Sequence, residues 1–266
     1  MVPAWGAYAG KSLTEALASL RAQDLPARII VVDNAGDPPL APLAGVEVVR
    51  SDERLTVGAA RNLGLEHVTS PYVLFWDADD LMLPGTLRFL REQIARRPEV
   101  VLVATSILEG DPPVAHRWPR RWTYALTRLR PAFALAHCVW SLFPTTGSAL
   151  MRTADAKESG YADANSGEDW VLGVSLAFRG RIVLDPRPGR IYRRHSASLW
   201  ETQRSTRQLI RHAYAVRERI RRDPRVPSSV KRLAPVIALM QVGAVLILRP
   251  LAEMVRAIRP RTSSKP

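Results

Sequence analysis

Residues 72–80 read Tyr-Val-Leu-Phe-Trp-Asp-Ala-Asp-Asp, and this stretch decides the fold. Five consecutive apolar residues suit a strand buried on both faces. Three carboxylates follow where that strand would end. Asp77 and Asp79 are two apart, so a chain turning out of the sheet can aim both at one point. In open α/β sheets, ligands bind just beyond the carboxyl ends of strands. Clustered hard oxygens at such a place suit Mg²⁺ or Mn²⁺, which can bridge to substrate phosphates. Taken alone, the stretch also reads as a solvated acidic turn in which Asp80 caps the next helix.

Working outward, strand and helix alternate. Val2-Pro3-Ala4 is a short apolar start, followed by a helix over about 12–23. Ser12 and Glu15 there have capping-box spacing, and Leu13, Leu17 and Leu20 share a face. Arg28-Ile-Ile-Val-Val-Asp33 is a buried strand ending in an acid, and Val46-Glu-Val-Val49 is a shorter one. A helix at about 57–67 precedes the Tyr72–Trp76 strand. Pro84 opens another, to about Arg97, and Val100-Val-Leu-Val-Ala104 is the next strand. This order predicts an α/β fold with a mostly parallel central sheet and helices on both faces.

Eight motifs in sequence now carry a resemblance. They are Val2-Pro3-Ala4-Trp5, Ser12 to Gln23, Ile29 to Asn34, Gly58 to Gly64, Phe75 to Asp80, Thr146 to Arg152, Gly167-Glu168-Asp169-Trp170, and Tyr192-Arg193-Arg194-His195 with Ser198. Together they resemble the family-2 glycosyltransferases, inverting enzymes of the GT-A nucleotide-sugar fold. The match covers roughly residues 2–200. It implies a nucleotide-binding half over about 1–105 and an acceptor-side half over about 106–200.

The resemblance also implies roles. Pro3, Ala4, Trp5 and Asp33 would hold the nucleobase and ribose, Trp5 by stacking and Asp33 by accepting an imide N–H. Arg61 would approach the base or diphosphate, a guanidinium being matched to phosphate oxygens; as a surface residue it would pair with Asp52 or Glu53. Asp77 and Asp79 match the family's DxD element. Aligned on Leu83-Pro84, Asp79 is the direct Mn²⁺ or Mg²⁺ ligand, and Asp77 contacts ribose or a metal-bound water. Asp169 is the general base, ahead of Glu168, and must reach the acceptor hydroxyl within ~3 Å or through one water. Ser166 would cap that helix, whose first-turn acids complement its dipole. Glu168 and Trp170 lie on the acceptor side. Arg193, Arg194 and His195 would clamp the donor phosphates. Gly147, in Thr145-Thr146-Gly147-Ser148, would let the backbone approach a ligand. Residues 110–143, carrying Trp118, Trp122 and Trp140, read as an acceptor-side insertion.

Composition bounds the rest. The 266 residues can bury a full core, and the single Cys138 excludes an intrachain disulfide and suits a reducing compartment. No secretory signal is read at the start, and the first strand is short enough that a few preceding residues are expected. No Gly-x-Gly-x-x-Gly follows the first strand, which argues against a dinucleotide-binding enzyme. The net charge of +13 is uneven: residues 1–200 hold 23 Lys+Arg and 21 Asp+Glu, residues 201–266 hold 15 and 4.

The basic tail, 201–266, reads as a helical extension with a disordered end. A helix over about 203–222 would turn Leu209, Ile210, Ala213, Tyr214, Arg217 and Ile220 to one side. After Pro224 and Pro227, Leu233–Leu248 is apolar except for Gln241. At 16 residues it is short of the ~20 that span a bilayer. It suits a helix on an anionic membrane surface, or one packed on the catalytic domain. The apolar run argues against nucleic acid as the partner. The expectation is a cytoplasmic enzyme, peripheral on the inner face of the cell membrane. It would use a nucleoside-diphosphate sugar, UDP favoured, and a glycan or lipid-linked acceptor of cell-envelope polysaccharide. The alternative is a catalytically silent nucleotide-binding relative that scaffolds membrane enzymes.

Overall fold

The computed structural model describes residues 1–110, 112–115, 121–143, 146–193 and 205–258, without the side chains of Ala7 and 248–258. Strands β1 (Val2–Ala4), β2 (Ile29–Asn34) and β3 (Val46–Ser51) pair in parallel in that order. A second sheet contains β4 (Tyr72–Leu74), β5 (Leu81–Met82), β6 (Val100–Glu109), β7 (Val114–Ala115), β8 (Ala149–Arg152) and β9 (Arg181–Tyr192). Its order is β4-β8-β6-β9-β5, with β7 on β6. Met1 stitches the two together, donating to the Leu74 carbonyl and accepting from Trp76 N–H, both at 2.9 Å. The first three strands are parallel as expected. The second sheet is mixed: β6 runs parallel to β9, while β8 runs antiparallel to β4 and β6.

Helices α1 (Lys11–Arg21), α2 (Val57–Glu66), α3 (Thr86–Ala95), α4 (Arg121–Leu126), α5 (Arg130–Val139), α6 (Thr153–Ser159), α7 (Glu168–Arg179), α8 (Thr206–Arg222) and α9 (Ser228–Ile258) complete it. Strand β2 shows why the sheet is covered twice. Its side chains alternate, Ile30 and Val32 joining Phe75, Leu102 and Met151 on one face, Ile29 and Val31 joining Leu13, Leu17 and Trp76 on the other. Each fully buried aliphatic side chain of this kind stabilises by about 1.5–3 kcal/mol relative to exposure.

Three local expectations are corrected. Helix α1 starts after Gly10 without a side-chain cap, because Glu15 pairs with Arg193 instead of closing a box with Ser12. Helix α3 starts at Thr86 rather than Pro84, since Gly85 sits at φ +72°, outside the helical region. The buried stripe of α8 is Ala213, Val216 and Ile220, while Tyr214 is exposed. That rotation lets Arg219 reach the Ser159 and Gly160 carbonyls.

The extension joins the core of the domain. Val216, Ile220, Val226, Val230, Ala234 and Ile237 pack with Cys138, Val171 and Val174. A buried Arg179–Asp223 pair at 2.7 Å, with Ser175 donating to Asp223 at 2.6 Å, pins the α8–α9 junction to α7.

Candidate active site

The carboxyl ends of β1 and β2 line a cleft with Asn165, and the chain beyond β4 meets the start of α7 through Arg61. In the cleft, Trp5 follows β1, with the Arg54 guanidinium 4.8 Å from its ring centroid. Asn34, ending β2, clamps Leu55 by donating to its carbonyl and accepting its N–H. Trp5, Asn34, Arg54, Leu55, Thr56, Val57 and Asn165 line a pocket of ≈ 180 Å³. Thr56 caps α2 by accepting Ala59 N–H. Pro3 and Ala4 are inside β1, with Ala4 paired to Asp33.

Asp33 does not present its carboxylate to this cleft. It is 1 % exposed and accepts from Gly36 N–H, Leu40 N–H and Arg50 Nη1. Three donors on a buried carboxylate make it the anchor of the loop after β2, which corrects the expectation of an open nucleobase acceptor.

Beyond β4, two guanidiniums organise the acids. Arg61 on α2 is 4 % exposed, not a surface residue, and Asp52 pairs with Arg50 instead. Arg61 Nη1 lies 2.5 Å from Glu168 Oε1, and its Nη2 lies 2.8 Å from Asp77 Oδ1. Arg190 on β9 takes the other Asp77 oxygen at 2.8 Å, pairs with Asp80, and donates to the Thr146 carbonyl. Burial opposes ionisation of Asp77, but Arg190 and Arg61 outweigh it and hold the carboxyl below its usual range. Asp80 is fully buried, neither solvated nor a helix cap; it accepts Arg193 N–H. Burial pushes it up to about 8 against the pull of Arg190, with Asp79 and Asp77 adding to the rise.

Arg190 is the functional residue the sequence reading missed. Gly147, at φ +75°, makes room for it: a Cβ there would collide with the guanidinium. The close approach at Gly147 is therefore to a side chain of the chain itself. Arg193 is likewise no phosphate clamp here, its guanidinium being bound to Glu15 and to the Asp79 carbonyl. Arg194, His195 and Ser198 lie outside the described residues.

The acidic start of α7 faces Asp77 across Arg61. Gly167 caps the helix at φ +76°, and Ser166 contacts His212 Nε2 at 2.8 Å rather than capping. Glu168 is buried, its Oε2 has no hydrogen-bond partner, and burial pushes its carboxyl up to about 7 despite Arg61. Asp169 is half-buried, and its Oδ1 accepts Trp170 N–H at 2.7 Å. Burial raises its pKa, Asp77 adds to that, and Arg61 and the Trp170 N–H oppose it. Trp170 donates from Nε1 to the His137 carbonyl at 2.7 Å, tying α7 to α5. His137 lies between Phe133 and Phe143, and burial pushes its pKa down to about 3, so it is a neutral core residue.

Metal fit was tested on the donor set. Among the described residues no three His, Cys, Asp or Glu side chains converge to hold an ion. Both Asp77 oxygens are engaged by guanidiniums. Asp77, Asp79, Asp80, Glu168 and Asp169 gather around Arg61 and Arg190, with burial holding protons more tightly on Asp80, Glu168 and Asp169. A divalent cation sharing its coordination with substrate oxygens fits such a site.

A parallel nucleotide-type sheet with acids gathered beyond β4 defines the GT-A class of glycosyltransferase. The family description Glycosyl transferase family 2 matches residues 1–158, and the chain belongs to that family. Among solved structures, residues 1–349 of S. aureus TarS in complex with UDP-GlcNAc match at 16% identity and TM-score 0.65, over 88% of this chain and 68% of that one. The mannosyltransferase PcManGT from Pyrobaculum calidifontis, in complex with GDP-Man and Mn²⁺, matches at 20% identity and TM-score 0.57, over 96% and 77%. These likenesses establish the fold. No curated protein matches by sequence.

Proposed function

We propose that this glycosyltransferase moves a sugar from a nucleoside diphosphate to an acceptor hydroxyl with inversion at C1. Asp169 takes the proton of the acceptor hydroxyl as that oxygen attacks C1 from the face opposite the diphosphate. A half-buried carboxylate with a raised pKa is a stronger base than an ordinary surface acid. Glu168 holds Arg61, and Arg61 and Arg190 keep Asp77 fixed and ionised. Trp5, Asn34 and Arg54 form the wall for the base, with Asp33 holding the loop behind them. Asp79 would hold Mn²⁺ or Mg²⁺; when bound, the cation neutralises charge on the departing diphosphate.

The observation that carries this reading is the Asp77–Arg61–Glu168 bridge. It joins the acidic turn beyond β4 to the start of α7 through one guanidinium, so donor side and acceptor side share a rigid support. The acceptor proposed is lipid-linked or polysaccharide, met at the inner face of the cell membrane, with the basic tail as the contact.

The test is thermal unfolding with UDP, GDP or dTDP, each with and without Mn²⁺. One diphosphate should raise the melting temperature only with Mn²⁺, and Asp79→Ala should abolish that rise. At 100 times Kd the gain is about 2.7 kcal/mol. A flat response to all three nucleotides refutes the reading.

A further inference from the structure

Helix α9 is apolar on two sides, and among the described residues only one side has a partner. Val230, Ala234 and Ile237 face the core, and Gln241 Nε2 donates to the Cys138 carbonyl. Leu233, Val236, Leu239, Met240, Leu246 and Ile247 are exposed, Leu239 at 72%. At 3.6 residues per turn these two sets point in different directions.

Helix α5 packs on the inner side of α9 and carries exposed apolar residues of its own. Val139 packs against the cluster containing Ala234 and Ile237, and exposed Leu135 lies one turn before it on the same face. Trp140, 57% exposed, lies two residues beyond the carbonyl that Gln241 grips. Arg128 and Arg130 precede Leu135, and Arg221, Arg222, Arg225 and Arg232 surround the start of α9; all six are exposed.

Resting on the reading of a transferase that works at a membrane, we infer that the outer face of α9 is a monotopic docking surface for an anionic phospholipid bilayer. Helix α9 lies in the interface rather than crossing. Ser228–Ile247 is long and apolar enough to cross by length and composition. Crossing, however, would uncover Val230 and Ile237 and break the Gln241 hydrogen bond. Charge selects the bilayer over a second copy of the chain: apposing two faces would bring together two segments that each carry 15 basic and 4 acidic residues. Gln241 ties α9 to α5, and Trp170 Nε1, donating to the His137 carbonyl, ties α5 to the helix that carries Asp169. The acceptor this arrangement suits is one whose lipid stays in the bilayer.

The test mixes the full chain with vesicles of phosphatidylcholine alone or with added phosphatidylglycerol. Partitioning should require the anionic lipid and weaken with salt. Leu239→Glu with Met240→Glu should cut partitioning roughly tenfold or more while leaving the melting temperature close to wild type, since both side chains are exposed. Partitioning unchanged in this variant, or absent from both vesicle types, overturns the inference. So does a carbonate-resistant membrane fraction, which means crossing, or a dimer of the free chain that Leu239→Glu dissolves. The Mn²⁺-dependent nucleotide shift, run on the same samples, reports separately on the transferase reading.

Discussion

Arg61→Met removes the guanidinium that Glu168 and Asp77 share. Asp77 keeps Arg190 and is partly exposed, so the cost falls mainly on Glu168, which is buried and already lacks a partner at Oε2. Removing one member of a buried pair while the other stays charged costs about 3–5 kcal/mol. Glu168 titrates near 7 in the folded chain against an ordinary 4.5. The folded state therefore holds this proton more tightly than the unfolded state, and the group's contribution to stability declines as pH rises from about 4.5 to about 7. Without Arg61 the carboxyl rises further and is neutral at pH 6. There the loss should be smaller than at pH 8 by up to about 1.4 kcal/mol, one pKa unit's worth. Thermal unfolding at the two pH values reads this directly. At roughly 2–4 °C per kcal/mol for a chain of this size, the loss at pH 8 is roughly 6–20 °C. Arg61→Met with Glu168→Gln should recover part of it. A loss under about 1 kcal/mol at pH 8, or an equal loss at both values, refutes the claim that Arg61 compensates a buried carboxylate.

Other perturbations separate chemistry from packing. Asp169→Asn should lower the transfer rate by about 10²–10⁴-fold, measured with the donor that thermal unfolding identifies, while the Mn²⁺-dependent nucleotide shift persists. Gly58→Ala should destabilise by about 1–3 kcal/mol in urea unfolding, because its Cβ would strike the Ala162 carbonyl, a backbone atom that cannot swing aside. Asp223→Ala leaves the buried Arg179 with only the longer Glu158 pair at 3.5 Å and should cost up to about 3–5 kcal/mol, seen as a lower melting temperature and faster proteolysis of α8.

The N-terminal half was legible because its signals are local. Apolar runs ending in acids marked β2 and the chain beyond β4, and amphipathic spacing marked α1 and α2. Strand β9 was hidden by Pro186 and Pro188 inside it, and Arg190 with it. A lone arginine among 34 shows nothing in sequence of the two carboxylates it reaches. Asp33 and Arg193 failed for the complementary reason. Their residue types suit ligand binding, but nearby N–H groups and Glu15 claim them first. Ser166 was misassigned because Gly167, in a left-handed conformation, takes over the start of α7 and hands the hydroxyl to His212.

The Arg179–Asp223 lock changes how the chain can be handled at the bench. A minimal enzyme trimmed near residue 200 to improve solubility would uncover Val171, Val174 and Cys138 and leave the buried Arg179 guanidinium only the longer Glu158 pair. Such a fragment would carry a damaged α7, the helix on which Asp169 sits, so its inactivity would say nothing about substrate choice. Screens for donor and acceptor belong with the uncut chain.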